Sequence, residues 1–274
     1  MRRAPSRYSL LCSPNLSFNS PRVLPHHCIK LNKPIQILHY DTIDSTNTEA
    51  RRLYEQGERG PIWIVADEQK AGRGRLGRTW HSEPGNLYST FLFPCEAPHS
   101  KLAQISFVAA LAVHDVATTF IKNTPITLKW PNDCLIDGAK FCGILSEVLS
   151  PSQIALGIGM NIAHAPKDPP YAATPLKGAT VKAAHEALSA SLQNWLQIWN
   201  DGKDFETIKF AWESKALNLG KKLSVDTGQA IRQGIFKGLS DDGAMILIQA
   251  DNSEITIHAG DVRVTNLTKE NHTA

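Results

Sequence analysis

A chain of 274 residues with 42% hydrophobic and 20% charged residues can bury a sizeable core and has room for two domains. Its formal net charge of +3 is unevenly spread, because the first forty residues hold six basic residues and no acid, whereas the rest holds 23 basic and 26 acidic residues. The mildly acidic body argues against general nucleic-acid binding, and five cysteines without metal-ligand spacing argue against a disulfide framework or a zinc site.

The first 34 residues are rich in serine, proline and arginine and show no amphipathic period, which is typical of a disordered segment. An organelle transit peptide has a similar acid-poor composition, whereas the prolines favour an extended or misassigned start. The apolar run at residues 8–12 is too short for a secretory signal, and no run is long enough to span a bilayer. We expect a cytoplasmic protein outside the membrane, with an organelle as the alternative location if the tail is a transit peptide.

Residues 44–47, with the sequence Asp-Ser-Thr-Asn, precede a predicted helix that ends near Gly57. Asp44 or Ser45 can act as the N-cap of this helix. A capping role explains the motif as well as a ligand-binding role does, and the sequence leaves both interpretations open.

The glycine-arginine loop, residues 72–78, holds three arginines and three glycines, and Trp80 follows it. Glycine lets the backbone approach a ligand closely, and a guanidinium offers planar donors that suit phosphate or carboxylate. Similar clusters occur in solvated surface loops and in disordered nucleic-acid-binding segments. Here, apolar runs at residues 62–66 and 87–93 predict buried strands on both sides, which favours a ligand-binding loop.

Next, the apolar period predicts a helix at residues 101–122, followed by a strand-hairpin-strand unit. Residues 126–136 are predicted to form the incoming part of this unit, and the Asp-Gly pair at 137–138 is predicted to form the turn. The return strand is predicted to begin at Lys140. A plain turn beside a solvated lysine would give the same pattern. The residues brought to this end of the sheet are Lys129, Asn132, Asp133 and Lys140.

The remainder alternates strands, helices and a loop. Residues 154–162 are predicted to form a buried strand whose glycines permit close approach of a ligand. A loop is expected at residues 166–180, and helices at residues 182–200 and 205–216. Residues 221–264 are predicted to form short strands separated by turns.

Several of these motifs share their order and spacing with one known family. They are residues 44–47, 68–69, 72–78, 129–133 and 157–161, together with Lys140. In this they resemble the biotin protein ligases, and the resemblance covers about residues 36–265. The glycine-arginine motif is specific to these ligases within their superfamily, whereas lipoate ligases share the lysine motif more loosely. Some members also repress transcription through an N-terminal helix-turn-helix domain; too few residues precede the match, so the resemblance implies the short form.

The resemblance implies an α/β (α+β) fold, with a mixed-sheet catalytic domain of the biotin/lipoate ligase type and a small C-terminal SH3-like β-barrel. Residues 1–34 are expected to be a disordered tail. Residues 35–218 are expected to form the catalytic domain that binds biotin and ATP, and residues 219–268 the barrel.

The family joins biotin to ATP, yielding biotinyl-5'-AMP and pyrophosphate, and then passes biotin to one lysine of a carrier protein. The resemblance therefore implies a biotin ligase with ATP and Mg²⁺ as cofactors and the biotin carrier of acetyl-CoA carboxylase or a related carboxylase as partner. The alternatives are a lipoate protein ligase, which the arginine-glycine run disfavours, and a non-catalytic nucleotide-binding or repressor module. No specific nucleic acid or membrane is expected as a partner, and a homodimer stays open.

The resemblance makes Lys140 the central catalytic cation, assisted by Arg75. Asp133 is expected to partner a metal or a lysine, but no residue is assigned to Mg²⁺, which accompanies ATP. The biotin pocket is implied to contain Ser45, Thr46, Asn47, Gln69, Arg73, Gly74, Arg75 and Lys140. ATP and the adenylate are implied to contact Arg75, Arg78, Trp80, Asn132, Lys140 and Asn161.

Overall fold

The computed structural model describes residues 6–10, 35–167 and 169–263, which contain two β-sheets and four α-helices. The strands of the large sheet are β1 (Ser6–Leu10), β2 (Ile35–Ile43), β3 (Ile62–Gln69), β4 (Leu87–Pro94), β5 (Ile126–Lys129), β6 (Asp133–Ile136), β7 (Ala139–Ser150) and β8 (Gln153–Met160). They lie in the order β1-β2-β3-β4-β8-β7-β6-β5. Among the strands of the described residues, only the β2 and β3 pair is parallel, so the sheet is mixed.

Helices cover both faces of this sheet. They are α1 (Thr46–Glu55), α2 (Ile105–Phe120), α3 (Val181–Trp199) and α4 (Phe205–Glu213). Successive side chains of a strand point to opposite faces, so in β3 Ile62 and Ile64 pack in the small core with Ala50 of α1. Trp63 and Val65 pack in the large core with α2, α3 and α4. Burial on both faces explains why this strand is a continuous apolar run.

The second sheet follows α4 in the chain and is antiparallel throughout, in the order β12-β11-β10-β9-β13. Its strands are β9 (Lys222–Asp226), β10 (Ile231–Leu239), β11 (Met245–Ile248), β12 (Glu254–Ile257) and β13 (Asp261–Arg263). The Phe236 ring lies 6.5 Å from that of Trp212 in α4, so one core runs through both sheets. The predicted fold class is confirmed, whereas the predicted boundary between residues 218 and 219 stays a prediction.

The N-terminal tail is not disordered throughout. Residues 6–10 form strand β1, which pairs antiparallel with β2 from Ser6 opposite His39 to Leu10 opposite Ile35. The prediction of disorder is therefore wrong for this segment, and residues 1–5 and 11–34 lie outside the described residues. Composition could not indicate this strand, because its hydrogen-bond partner is the edge of a sheet built by residues further along the chain.

Helix α2 belongs to a stretch that differs from a second prediction, which was that no apolar run is long enough to span a bilayer. The helical stretch His99–Phe120 is long and apolar enough, by length and composition, to cross a membrane, although no such run was expected. However, 67% of its most apolar window is buried, and α2 packs against α3, α4 and β7. A helix that is apolar on every side is typical of a protein core as well as of a membrane, and here its packing accounts for its composition.

His185 on α3 is a buried titratable group in the large core. It is 5% exposed, its ring packs edge-on at 4.9 Å against that of Trp63, and its Nε2 has no hydrogen-bond partner among the described residues. Burial lowers the pKa of His185 from 6.5 to about 4, with a smaller contribution from the charge of His39. The folded protein therefore holds this imidazole in its neutral form.

We expect the stability of the protein to fall between pH 6.5 and pH 4 because of His185. In that window the unfolded chain binds a proton at His185 that the folded chain does not bind. The contribution of neutral His185 to the free energy of unfolding is therefore fully present above pH 6.5 and decreases by about 3 kcal/mol towards pH 4. Urea unfolding at pH 4.5 and pH 7 measures it. In His185→Leu the difference between the two pH values should shrink; an unchanged difference would assign the pH dependence to other groups.

Candidate active site

One cavity of about 940 Å³ is lined by segments that lie far apart in the sequence. They include the start of α1, the end of β3, the glycine-arginine loop, the connection between β5 and β6, strands β7 and β8, and the start of β13. The volume lies within the range of small-molecule sites. The predicted site residues that line it are Ser45, Thr46, Asn47, Gln69, Arg73, Gly74, Arg75, Arg78, Trp80, Asn132 and Lys140.

Asn161 is the predicted site residue that does not line the cavity. It is 3% exposed, and its side-chain amide donates to the carbonyl oxygens of Lys140 and Thr174, each at 3.5 Å. Its position therefore favours a role in holding the Lys140 backbone, and the predicted contact with the nucleotide stays a prediction. A sequence motif does not show whether a residue lines the cavity or lies behind the residues that line it.

The polar pocket consists of Thr46, Asn47 and Gln69, which line the cavity, and of Thr90, which contacts Thr46 and Asn47. The Oε1 of Gln69 accepts hydrogen bonds from the backbone N (2.8 Å) and the hydroxyl (3.1 Å) of Thr46. The Thr90 hydroxyl lies 2.8 Å from the Thr46 hydroxyl and 2.7 Å from Asn47 Oδ1. These side chains are held before any ligand arrives, which suits recognition of a small planar polar group.

Ser45 stands at the N-cap of α1 but makes no side-chain capping bond. Its backbone N donates to Asp44 Oδ1 at 2.8 Å, and the guanidinium of Arg52 bonds both oxygens of that carboxylate. The side chain of Ser45 is thus available to the cavity that it lines. Of the two interpretations left open by the sequence, capping does not account for this serine.

Two glycines of β8 give room to side chains of the site. A Cβ on Gly157 would lie 2.1 Å from Asn47 Oδ1, and a Cβ on Gly159 would lie 2.6 Å from Trp80 Nε1. Both distances are much shorter than a van der Waals contact. Here the protein's own Asn47 and Trp80, which form part of the cavity wall, approach these glycines, and the predicted close approach of a ligand stays a prediction.

The glycine-arginine loop is a tight hairpin folded over the cavity. The backbone N of Gly74 donates to Arg78 O at 2.7 Å, and that of Trp80 donates to Gly72 O at 2.9 Å. Between these bonds, Leu76 and Gly77 take positive φ angles of 56° and 72°. The left-handed turn favours glycine at position 77, and it leaves the Leu76 side chain exposed at the tip.

Each arginine of the loop contacts a different part of the protein. Arg73 Nη2 lies 3.4 Å from both carboxylate oxygens of Glu147 on β7. Arg75 Nη1 donates to Asn132 Oδ1 at 3.1 Å. Arg78 pairs with Asp261 on β13, so the small sheet also closes the cavity. Burial lowers the pKa of Arg75, and the nearby Asp261 and Asp133 oppose that shift.

Lys140 also lines the cavity. Its Nζ lies 2.6 Å from Asp133 Oδ1, and the two side chains are 16% and 22% exposed. The rings of Trp80 and Tyr171 lie with their centroids 5.3 and 5.2 Å from the same nitrogen, within the range of a cation-π contact. The backbone N of Lys140 donates to Ala172 O at 2.7 Å, which fixes the strand end that carries the cation. Asp133 is therefore the partner of a lysine here.

Sequence reasoning missed several residues that contact the site: Thr90, Glu147, Tyr171 and Asp261. Thr90 had a weak signal, since it is a polar residue within an apolar strand. The other three gave none, because their neighbours in the site come from segments up to 183 residues away, as with Arg78 and Asp261.

A separate group lies outside the cavity, where His39, Asp41 and Asp67 bring their ligand atoms within 4.8 Å of one another. His39 Nε2 lies 2.9 Å from Asp67 Oδ1, and both aspartates are exposed. The sequence indicated no metal site, and exposed clusters of this kind are common without an ion. This one stays a geometric candidate.

Two profiles of known families match the chain. That of the biotin/lipoate A/B protein ligase family matches residues 40–162, and that of the biotin protein ligase C-terminal domain matches residues 219–264. The first range contains every cavity-lining residue predicted from the sequence. The second contains the small sheet, which supplies Asp261.

Individual relatives agree with these profiles. The chain is 37% identical over 219 residues to a biotin--[acetyl-CoA-carboxylase] ligase of Paracoccus denitrificans, covering 74% of this chain and 90% of the relative. It is 29% identical over 241 residues to the bifunctional ligase/repressor BirA of Bacillus subtilis, covering 83% and 74%. The structure of the Aquifex aeolicus biotin protein ligase in complex with biotin and ATP superposes with a TM-score of 0.72 at 30% identity, covering 84% of this chain and 99% of that one.

Proposed function

Since the chain belongs to the biotin protein ligase family, we propose that it converts biotin and ATP to biotinyl-5'-AMP and pyrophosphate and then transfers biotin to one lysine of a biotin carrier domain. The acetyl-CoA carboxylase carrier named for the Paracoccus relative is the first candidate. The observation that carries this proposal is the convergence of Lys140, Arg75 and Arg78 on the cavity that also holds the polar pocket around Asn47. Cations for a phosphate and a fixed pocket for a neutral polar ring are the two requirements of this chemistry.

In the first step, an oxygen of the biotin carboxylate bonds to the α-phosphorus of ATP. The bond from that phosphorus to the bridging β-phosphate oxygen breaks, and pyrophosphate leaves. Biotin supplies the attacking carboxylate, so the protein needs no nucleophile of its own. Lys140 and Arg75 offset the crowded negative charge, and their partners Asp133 and Asn132 hold them in place beforehand.

In the second step, the neutral amine of the carrier lysine attacks the acyl carbon of biotinyl-5'-AMP. The carbon-oxygen bond to the phosphate breaks, AMP leaves with both electrons, and the new amide nitrogen loses a proton. Negative charge again collects on the departing phosphate. The same two cations, Lys140 and Arg75, can therefore serve both steps.

We also propose Mg²⁺ as the companion of ATP. The donor set fits this ion, because Asp133 offers a carboxylate on the cavity wall near the cations that would face the phosphates, and Mg²⁺ is typically bound by one or two carboxylates together with phosphate oxygens. When bound, it would share the charge of the triphosphate. Asp133 would then interact with both the ion and Lys140.

The proposed function is tested by incubating the protein with ATP, biotin and a biotin carrier domain, followed by a streptavidin blot. Labelling of the carrier, lost when its acceptor lysine is changed to alanine, is the expected result. A parallel reaction with lipoate and a lipoyl domain tests a lipoate ligase. A protein that labels neither carrier would be a non-catalytic module.

The location of the protein in the cell and its partners are inferred from the sequence and from the relatives. We propose a cytoplasmic protein without a specific nucleic-acid partner, supported by the mildly acidic body, although some relatives are named as ligase/repressors. Fractionation of cells followed by immunoblotting tests the location. Sedimentation with and without biotin and ATP tests whether the protein forms a homodimer.

Arg75→Ser should release biotinyl-5'-AMP faster than the parent enzyme. The variant loses the bond to Asn132 that joins the loop to the hairpin carrying Asp133, so the loop holds the intermediate less well. Free adenylate acylates lysines without selection. We expect stronger streptavidin labelling of bovine serum albumin incubated with the variant, biotin and ATP, and labelling at the parent level in a variant that still makes adenylate would contradict a role of the loop in retention.

A further inference from the structure

Glu147 joins the polar pocket to the glycine-arginine loop without lining the cavity. Its Oε2 accepts a hydrogen bond from Asn47 Nδ2 at 2.7 Å, and Arg73 Nη2 lies 3.4 Å from both of its oxygens. Its side chain is only 20% exposed. The Glu147 carboxylate therefore contacts one residue of the polar pocket, Asn47, and one residue of the loop, Arg73, although it does not line the cavity itself.

We propose that Glu147 is a positioning residue that sets the orientation of the Asn47 amide for biotin and fastens the base of the glycine-arginine loop. This inference rests on the proposed function, because it concerns how the same cavity takes biotin. Glu147 belongs to none of the sequence motifs that predicted the site, and its role arises from contacts across the sheet.

The Asn47 amide shows why its orientation matters. Its nitrogen donates to Glu147 and to Leu145 O at 3.3 Å, and its Oδ1 lies 2.7 Å from the Thr90 hydroxyl. An ionised carboxylate only accepts hydrogen bonds, so Glu147 holds the NH₂ end of the amide towards itself. Oδ1 keeps a second lone pair, which is suited to an N–H donor such as that of the biotin ureido ring.

At the loop end, Arg73 belongs to the base of the hairpin, where it forms a β-bridge with Thr79. An ion pair here resists opening of the whole loop. The Arg73 side chain is 46% exposed, so solvent screens much of this attraction. Asn47 is only 4% exposed, and loss of a partner for a buried donor is more costly. The Asn47 contact should therefore dominate the effect of removing Glu147.

Two variants separate these contacts. Glu147→Ala removes the nearer of the two acceptors of the buried Asn47 nitrogen and leaves Leu145 O at 3.3 Å, so we expect the KM for biotin to rise about tenfold or more, whereas the KM for ATP and the kcat of adenylate formation change much less. Glu147→Gln can still present an oxygen to Asn47 but has no charge for Arg73. Its KM for biotin should rise less than that of Glu147→Ala, and trypsin should cut the ligand-free variant after Arg73 faster than the parent.

Arg51→Ala is the matched control, because Arg51 Nη2 lies 4.0 Å from Glu147 Oε1 and this arginine is 46% exposed. It removes a charge next to Glu147 without changing the contacts to Asn47 or Arg73, so parent values are expected. A parent KM for biotin in Glu147→Ala, or an equal rise for biotin and ATP, would overturn the inference. Failure of the parent protein itself to bind biotin in calorimetry would instead reject the proposed function.

Discussion

Lys140→Ala should lower the rate of biotinyl-5'-AMP formation by about 10² to 10³, the usual cost of removing one preorganised electrostatic partner from a reacting centre. The structure holds Lys140 near two aromatic rings and against Asp133 at 2.6 Å, so its charge is fixed in place on the cavity wall. Release of pyrophosphate with saturating biotin and ATP measures the effect. Formation of adenylate at the parent rate would show that Lys140 is not the catalytic cation.

Loss of Lys140 also leaves the carboxylate of Asp133 without its partner, which could lower stability and activity together. The double variant Lys140→Ala with Asp133→Asn removes that unpaired charge and tests the loss of stability, whereas its activity also reflects the loss of the proposed Mg²⁺ ligand. Its melting temperature should return towards that of the parent while its activity stays low. Lys182→Ala, which changes a lysine that is 85% exposed, is the matched control and should behave like the parent.

Gly157→Ala should weaken biotin binding by roughly tenfold to hundredfold, because the new Cβ would lie 2.1 Å from Asn47 Oδ1 and must displace that side chain. The displaced amide loses its bonds to Thr90 and Glu147 in a buried position. Calorimetric titration with biotin measures the loss. We also expect a lower melting temperature, since overpacking of this kind typically costs about 1–3 kcal/mol.

Asn47→Ala in the Gly157→Ala background tests the cause. Removal of the clashing side chain should raise the melting temperature above that of Gly157→Ala, towards that of Asn47→Ala alone, but should not restore the affinity for biotin, since Asn47 itself is then absent. If the double variant is as unstable as Gly157→Ala alone, the damage does not come from Asn47.

The sequence alone determined the fold class and most of the residues that meet in the cavity. Its apolar periods indicated the strands and helices, and its short motifs carried the resemblance to the biotin protein ligases, which implied the fold class and the site residues. The glycine-arginine loop is the best example, because the turn and the cations that it presents lie within seven residues. The hairpin that carries Asp133 and Lys140 is similarly local, since an Asp-Gly turn sets the return of its strand.

Only the tertiary structure decided which residues act on those motifs from elsewhere. Glu147, Thr90 and Asp261 touch the site through contacts across strands or between sheets, and no local pattern marks such contacts. The same reason explains where the structure differs from the expectations drawn from the sequence. Strand β1 depends on a sheet edge formed later in the chain, Asn161 lies behind the wall that its motif helps to build, and the apolar surface of α2 faces other helices and the sheet. Pairing between distant segments arises from packing of the whole chain, and a sequence pattern reports only the neighbours of each residue along it.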